Sequence, residues 1–171
     1  MKHLRLKTGF QFGLIESLLN FLISIAILYA GLASYNSGSN TLISLLITGL
    51  AIYLATEAYK KKSEGYMSVS DIVVTSLWMG FSSGLLGGIL GSLHFHLNPE
   101  IKETIRNQME LQMENQGQSD EIVEKSLEMM EMFLQPGFLI LISIISLLLM
   151  HLVVGAIMSL FLKKERSIFE D

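Results

Sequence analysis

The chain has 171 residues, half of them hydrophobic and only 16% charged, with no cysteine and a formal net charge of −4. A soluble domain of this size carries about a quarter charged residues, so the composition argues against a water-soluble globule and for one dissolved in lipid. The missing cysteines exclude a disulfide framework, a thiolate metal site and a lipid-modified cysteine, and no basic face suits nucleic acid as a partner.

Along the chain, Lys2, Arg5 and Lys7 precede an apolar run over residues 10–33. Basic residues before an apolar run also describe a secretory signal, with Gly31-Leu32-Ala33 as its cleavage site. The run exceeds the roughly 7–15-residue apolar stretch of such signals and contains Glu16 and Asn20, so it reads as a retained span. The turn-rich SYNSGSN at 34–40 makes the next apolar run, 41–59, an antiparallel neighbour. Lys60, Lys61 and Lys62 follow, and Ser70-Asp71 is the expected N-cap of a third run over 72–94. A fourth run covers 138–162 and ends at Lys163, Lys164 and Arg166. Helices of about 19 to 25 residues reach roughly 28 to 37 Å, enough for a ~30 Å hydrocarbon core.

Residues 98–136, between the third and fourth runs, are different. They hold Glu100, Glu103, Glu110, Glu114, Asp120, Glu121, Glu124, Glu128 and Glu131 against only Lys102, Arg106 and Lys125. Asn98-Pro99 starts a helix whose apolar positions are Ile101, Ile105, Met109 and Met113. Gly117 breaks it, and Ser119, Asp120 and Glu121 begin another that carries Val123, Leu127, Met130 and Leu134, up to Pro136-Gly137. Lysine and arginine beside spans stay cytoplasmic, so both termini and the 60–70 loop should face inward and this acidic pair outward. The expected fold is all-α, a single domain over 1–171: a four-transmembrane-helix bundle with an extracytoplasmic acidic helical hairpin between helices 3 and 4.

The third run gives up an unusual amount of side chain in "GFSSGLLGGILGS". On a wheel of about 100° per residue, Ser76, Gly80, Ser83, Gly84, Gly87 and Gly91 fall within one arc, with Gly88 continuing the four-residue spacing. Trp78, Leu85, Leu86, Ile89 and Leu93 lie opposite. Helices in lipid associate through small residues that let backbones approach, so this stripe is expected to be a packing surface. It faces either the chain's own bundle, the preferred reading, or a second copy. The other runs carry matching seams: Gly9, Gly13, Glu16, Asn20 and Ser24; Ser44, Thr48, Ala51 and Ala55; His151, Gly155 and Ser159.

Tyr66-Met67-Ser68-Val69-Ser70-Asp71, the Asn98-Pro99 exit, the polar run through Gly117-Gln118-Ser119, and Met129-Met130 before Pro136-Gly137-Phe138 resemble a family. It is that of bacterial integral membrane proteins known as domain of unknown function 4199, and the resemblance covers essentially the whole chain. It implies a four-helix protein of the bacterial inner membrane without an assigned activity, so no catalytic or binding residue is carried over.

Three motifs invite chemistry. Gly80-Phe81-Ser82-Ser83-Gly84 fits G-x-S-x-G, but a nucleophile elbow needs a strand-to-helix turn, and Ser82 falls about 200° from Gly80, towards lipid. Ser83 with His151 would make an intramembrane serine–histidine pair, but no oxyanion hole or water path goes with it. His94-Phe95-His96 places its rings about 200° apart on a helix, and the methionines fall on apolar stripes, so neither signals a metal. No catalytic, cofactor or metal residue is therefore assigned. Glu16, Asn20 and His151 are more informative, because an acid at mid-membrane persists only when satisfied or protonated. Glu16–His151 and Asn20–His151 contacts are both allowed by depth, either as an interhelical hydrogen bond or as a proton relay.

The expected function is that of a small non-enzymatic structural, interaction or accessory protein, embedded in membrane lipid. Its hairpin 98–136 would offer apolar stripes to a protein partner or a second copy. The alternative is a small oligomeric transporter or channel using Glu16, Asn20 and His151; an intramembrane hydrolase ranks last.

Overall fold

In the computed structural model, residues 2–30 and 38–164 are described. They form α1 (Lys2–Tyr29), α2 (Gly38–Lys60), α3 (Val69–Leu97), α4 (Pro99–Asn115), α5 (Asp120–Phe133) and α6 (Pro136–Leu162). Four of these, α1, α2, α3 and α6, are long and apolar enough to cross a membrane. Most of the 34–40 connection and Arg166 lie outside the described residues.

The helix ends follow from local chemistry. The N-cap of α3 is Ser68 rather than the expected Ser70: Asp71 N–H donates to Ser68 Oγ at 3.2 Å, and Ser68 N–H donates to Asp71 Oδ2 at 3.1 Å. An acid three residues after the cap reaches back to the cap's own N–H, which an acid directly beside the cap does not do. Ser68-Val69-Ser70-Asp71 is therefore a capping box. Asn98 precedes α4, with Pro99 at its first position, but its side chain turns back, donating to His94 O at 2.9 Å at the end of α3. The turn into α5 passes through Gly117 at φ +70, where a side chain would be strained. The first helix starts at Lys2, well before the apolar run, because Arg5 pairs with Asp71 at 2.5 Å and anchors the extra turns to the start of α3.

Helix α3 is the centre of the bundle, with α6 along one side and α1 along another; α2 lies across α1 and α6. The α6 contact runs along the four-residue stripe. A Cβ on Gly84 would lie 2.6 Å from Ile144 Cα, one on Gly88 2.6 Å from Ile140 Cα, and one on Gly80 2.7 Å from Leu147 O. Ser76 in turn faces Gly155. The small residues of α3 occupy more than one face, however. Gly87 approaches Ser17 of α1, Gly91 has open space, and Gly13 of α1 sits on Met79 and Ser82.

This corrects the expectation for Ser82. It is fully buried, and its Oγ donates within its own helix to Trp78 O (3.0 Å) or Met79 O (3.2 Å). A helix flanked on two sides buries more arc than a single-seam wheel allows.

The distribution of side chains is inverted relative to a soluble protein. In α6 the buried residues are His151, Gly155 and Ser159, while Leu149, Val153, Leu160 and Phe161 are exposed. Water drives leucine inward and would not select this arrangement. The larger apolar cluster, Ile52, Ala55, Tyr59, Met67, Ile72 and Met79, runs from the middle of the bundle to one end. That end carries the basic residues, and an antiparallel bridge between Met67 and Lys164 joins the 60–70 loop to the end of α6. At the other end, α4 and α5 pack on each other, with Val123 and Leu127 buried and Arg106 Nη1 3.2 Å from Glu131 Oε1. The stripes expected to face a partner are thus largely turned towards each other.

Close approach predicts a contrast between glycines. Gly84→Ala should destabilise by about 1–3 kcal/mol, since backbone must move to admit a methyl group. Gly91→Ala, which meets nothing, should be neutral or stabilising by up to about 1 kcal/mol. Thermal unfolding of the two purified variants distinguishes them, and equal midpoints would contradict the packing.

Candidate functional site

At mid-height of the bundle, α1, α2 and α6 each contribute one polar side chain to a common point. Glu16 is 1% exposed, and Thr48 and His151 are 0% exposed. Thr48 Oγ1 donates to Glu16 Oε1 at 2.6 Å, and His151 Nε2 lies 2.8 Å from Glu16 Oε2. The second ring nitrogen, Nδ1, is 2.8 Å from Leu147 O, one turn back on α6.

Glycine is what allows the assembly. A Cβ on Gly80 would come 3.0 Å from His151 Cβ as well as 2.7 Å from Leu147 O, so α3 yields its surface to the turn of α6 that carries both groups. On the other flank, a Cβ on Gly9 would meet Thr75 O at 2.5 Å, and Gly9 with Gly13 brings α1 close to the same helix. The central helix adds no side chain to the site; it sets the distance between those that do.

Proton positions follow from donor and acceptor rules. A carbonyl only accepts, so the bond to Leu147 O requires His151 Nδ1–H. Nε2 and Glu16 Oε2 then share a single proton, giving imidazolium with carboxylate or imidazole with carboxylic acid. Either way the pair is neutral as a unit. Both carboxyl oxygens and both ring nitrogens are satisfied, as a buried polar group requires.

Of the residues singled out from sequence, Glu16 and His151 meet and Asn20 does not join them. Asn20 is half-buried one turn further along α1, beside a small pocket of about 90 Å³ shared with Ser24 and Ser44. The Asn20–His151 alternative is ruled out by geometry, since both ring nitrogens are taken. The same fact dissolves the Ser83–His151 pair, although Ser83 is buried. His94 stacks edge-on against Phe21, with Asn98 Nδ2 3.3 Å from its Nδ1, while His96 is exposed. Among the described residues no group of three or more His, Asp and Glu is placed to hold a metal ion.

Two partnerships escaped sequence reading. Thr48 stood on the small-residue seam of its helix, which gave its face but not its partner. The Arg5–Asp71 pair links residues far apart in sequence, where Asp71 stood only as the acid beside the expected cap.

Fold and site together define a class: an all-helical bundle with four helices of membrane-spanning length and composition, closed around a buried polar cluster. Residues 9–164 match the family described as Protein of unknown function (DUF4199), and the chain belongs to that family. No curated protein and no solved structure matches it.

The proton inventory predicts unequal substitutions at Glu16. Glu16→Gln keeps an acceptor for Thr48 and offers an N–H to neutral His151, so it should cost less than about 1.5 kcal/mol. Glu16→Ala strands both partners and should cost about 3–5 kcal/mol. Unfolding of the two variants measures the difference, and similar losses would show that the hydrogen bonds do not hold the bundle.

Proposed function

We propose that this is a multi-pass integral protein of the bacterial inner membrane without catalytic activity, which holds an acidic helical hairpin on the outer face for contact with protein. The observation that carries it is the closed polar cluster: every hydrogen-bonding atom of the Glu16 carboxyl and the His151 ring is engaged inside the bundle, and neither residue is accessible. Catalysis needs a reacting group within reach of a substrate, and this pair has neither the access nor a nucleophile. It acts as a clamp. In lipid, where leucine gains nothing by facing leucine, such interhelical hydrogen bonds and glycine contacts are what remain to hold helices together.

The exposed leucines of α1, α2 and α6 support a hydrocarbon surround. Orientation rests on charge. Arg5, Lys60, Lys61, Lys62, Lys163 and Lys164 gather at one end through the Arg5–Asp71 pair and the Met67–Lys164 bridge, and the tendency of lysine and arginine beside spans to stay inside supports a cytoplasmic setting for that end. Helices α4 and α5 then stand outside. Their acids repel anionic lipid, while Ile122, Met129, Met132 and Phe133 of α5 remain exposed, a surface suited to a protein partner or a second copy. The transport alternative would need the clamp to open to water, and its closure weighs against it.

The absence of cysteine makes topology direct to test. In intact cells, Ser119→Cys should react with a membrane-impermeant thiol reagent and Ser63→Cys should not; the reverse pattern would overturn the orientation. Vesicles containing the protein or its Glu16→Gln variant should show the same ion and proton leak at every pH tried. A flux that depends on Glu16 would replace the clamp with a relay. Cross-linking through Lys102 and Lys125 in native membranes should recover a partner or a dimer, and recovery of monomer alone would count against a contact role.

A further inference from the structure

We propose that the basic end of the bundle holds the phosphate of an anionic lipid, in a pocket between the 60–66 turn, the start of α3 and the last turn of α6. The inference rests on the membrane reading above, which sets this end among the lipid headgroups. The pocket has a volume of about 490 Å³ and is lined by Tyr59, Lys62, Tyr66 and Lys164, with Leu4 and Met67 among its apolar parts.

Its walls are preformed. Glu64 at φ 55 and Gly65 at φ +86 fold the turn, and Ser63 Oγ lies 2.5 Å from Tyr66 O and 3.1 Å from Tyr59 O. Met67 N–H donates to Lys164 O at 2.9 Å and Lys164 N–H donates to Met67 O at 3.0 Å, which stitches the turn to the end of α6. Arg5 and the capping box hold the α3 side.

What the pocket presents is a pair of ammonium groups, Lys62 and Lys164, in need of an anion. Asp71 lines it too, but its carboxylate is engaged by Arg5, Ser68 N–H and Ser68 Oγ–H. Glu64 and Tyr66 are likewise engaged. Lys62 and Lys164 have no carboxylate partner among the described residues; the Lys164 ammonium stands 5.7 Å from the Tyr66 ring centre. The Tyr59 hydroxyl is the independent sign. The residue lines the pocket and is 1% exposed, and its Oη has no hydrogen-bond partner among the described residues, an arrangement native proteins seldom leave unfilled.

A phosphodiester fits this set. Its oxygens only accept, its charge suits two ammonium groups, and its glycerol and first methylenes can rest on Leu4 and Met67. A choline headgroup adds a cation that the two lysines repel. Basic pockets between helices on the cytoplasmic side are a recognised kind of anionic-lipid site. Among the described residues, the pockets of α4 and α5 at the opposite end set Lys102 and Arg106 among more numerous acids, Glu103, Glu110, Glu114 and Glu124, a poorer match for an anion.

The test is native mass spectrometry of the full chain in mild detergent with equal amounts of phosphatidylglycerol and phosphatidylcholine. One phosphatidylglycerol should be retained in preference. Lys62→Gln with Lys164→Gln should weaken that retention by about tenfold or more, Tyr59→Phe by less, and Lys102→Gln with Lys125→Gln not at all. Unfolding midpoints without lipid verify that the variants are folded. Retention that survives millimolar inorganic phosphate supports a lipid ligand, whereas displacement by it would reassign the site to free phosphate. Equal retention of both lipids would overturn the site but leave the membrane reading standing. Failure to carry either lipid would overturn that reading itself.

Discussion

A carboxyl group with no water beside it must be given its hydrogen bonds by the protein, and the geometry of the bundle answers that demand at Glu16. Meeting it takes a hydroxyl from α2 and an imidazole from α6, so three helices are tied at one height and in one rotation. The histidine is itself held by a carbonyl of its own helix, which fixes the ring and leaves one nitrogen to face the acid. Removing one partner of such a buried pair is costly, so the pair holds the helices in this one arrangement. In a bundle whose remaining surface is interchangeable leucine and isoleucine, specification is what is scarce.

The glycines serve the same end. Helix α3 carries two narrow faces, one against Ile140, Ile144 and Leu147 of α6 and one against α1. Because its own side chains are small, its neighbours come near enough for Glu16 and His151 to meet beside it. A bulkier central helix would hold α1 and α6 too far apart for a 2.8 Å contact. Glycine spacing and polar cluster are therefore one device, in which backbone proximity makes side-chain hydrogen bonding possible.

The two ends of the molecule differ in construction. At the basic end, an apolar cluster around Tyr59 and Met67, an ion pair, a capping box and a two-bond bridge fix three chain segments together. At the acidic end, α4 and α5 hold mainly to each other, by a short apolar seam and the Arg106–Glu131 pair at 3.2 Å. Surface ion pairs of that sort contribute little. A rigid, pocketed face on one side and a lightly attached acidic pair on the other suit the roles proposed for them, lipid contact and partner contact.

Composition and periodicity by themselves determined the all-helical class, the four long apolar helices and the break at Gly117, while the family came from the resemblance of a few short motifs. These are properties of single segments, set by hydropathy, glycine and proline, and they survive without knowledge of neighbours. Sequence also placed Glu16, Thr48 and His151 on the narrow faces of their helices. It could not say that His151 takes Glu16 and leaves Asn20, that Ser82 is covered, or that Arg5 reaches Asp71. Those outcomes depend on how far each helix is rotated and how closely it approaches the next. Such quantities are fixed by atoms distant in the chain, and only the tertiary structure decides them.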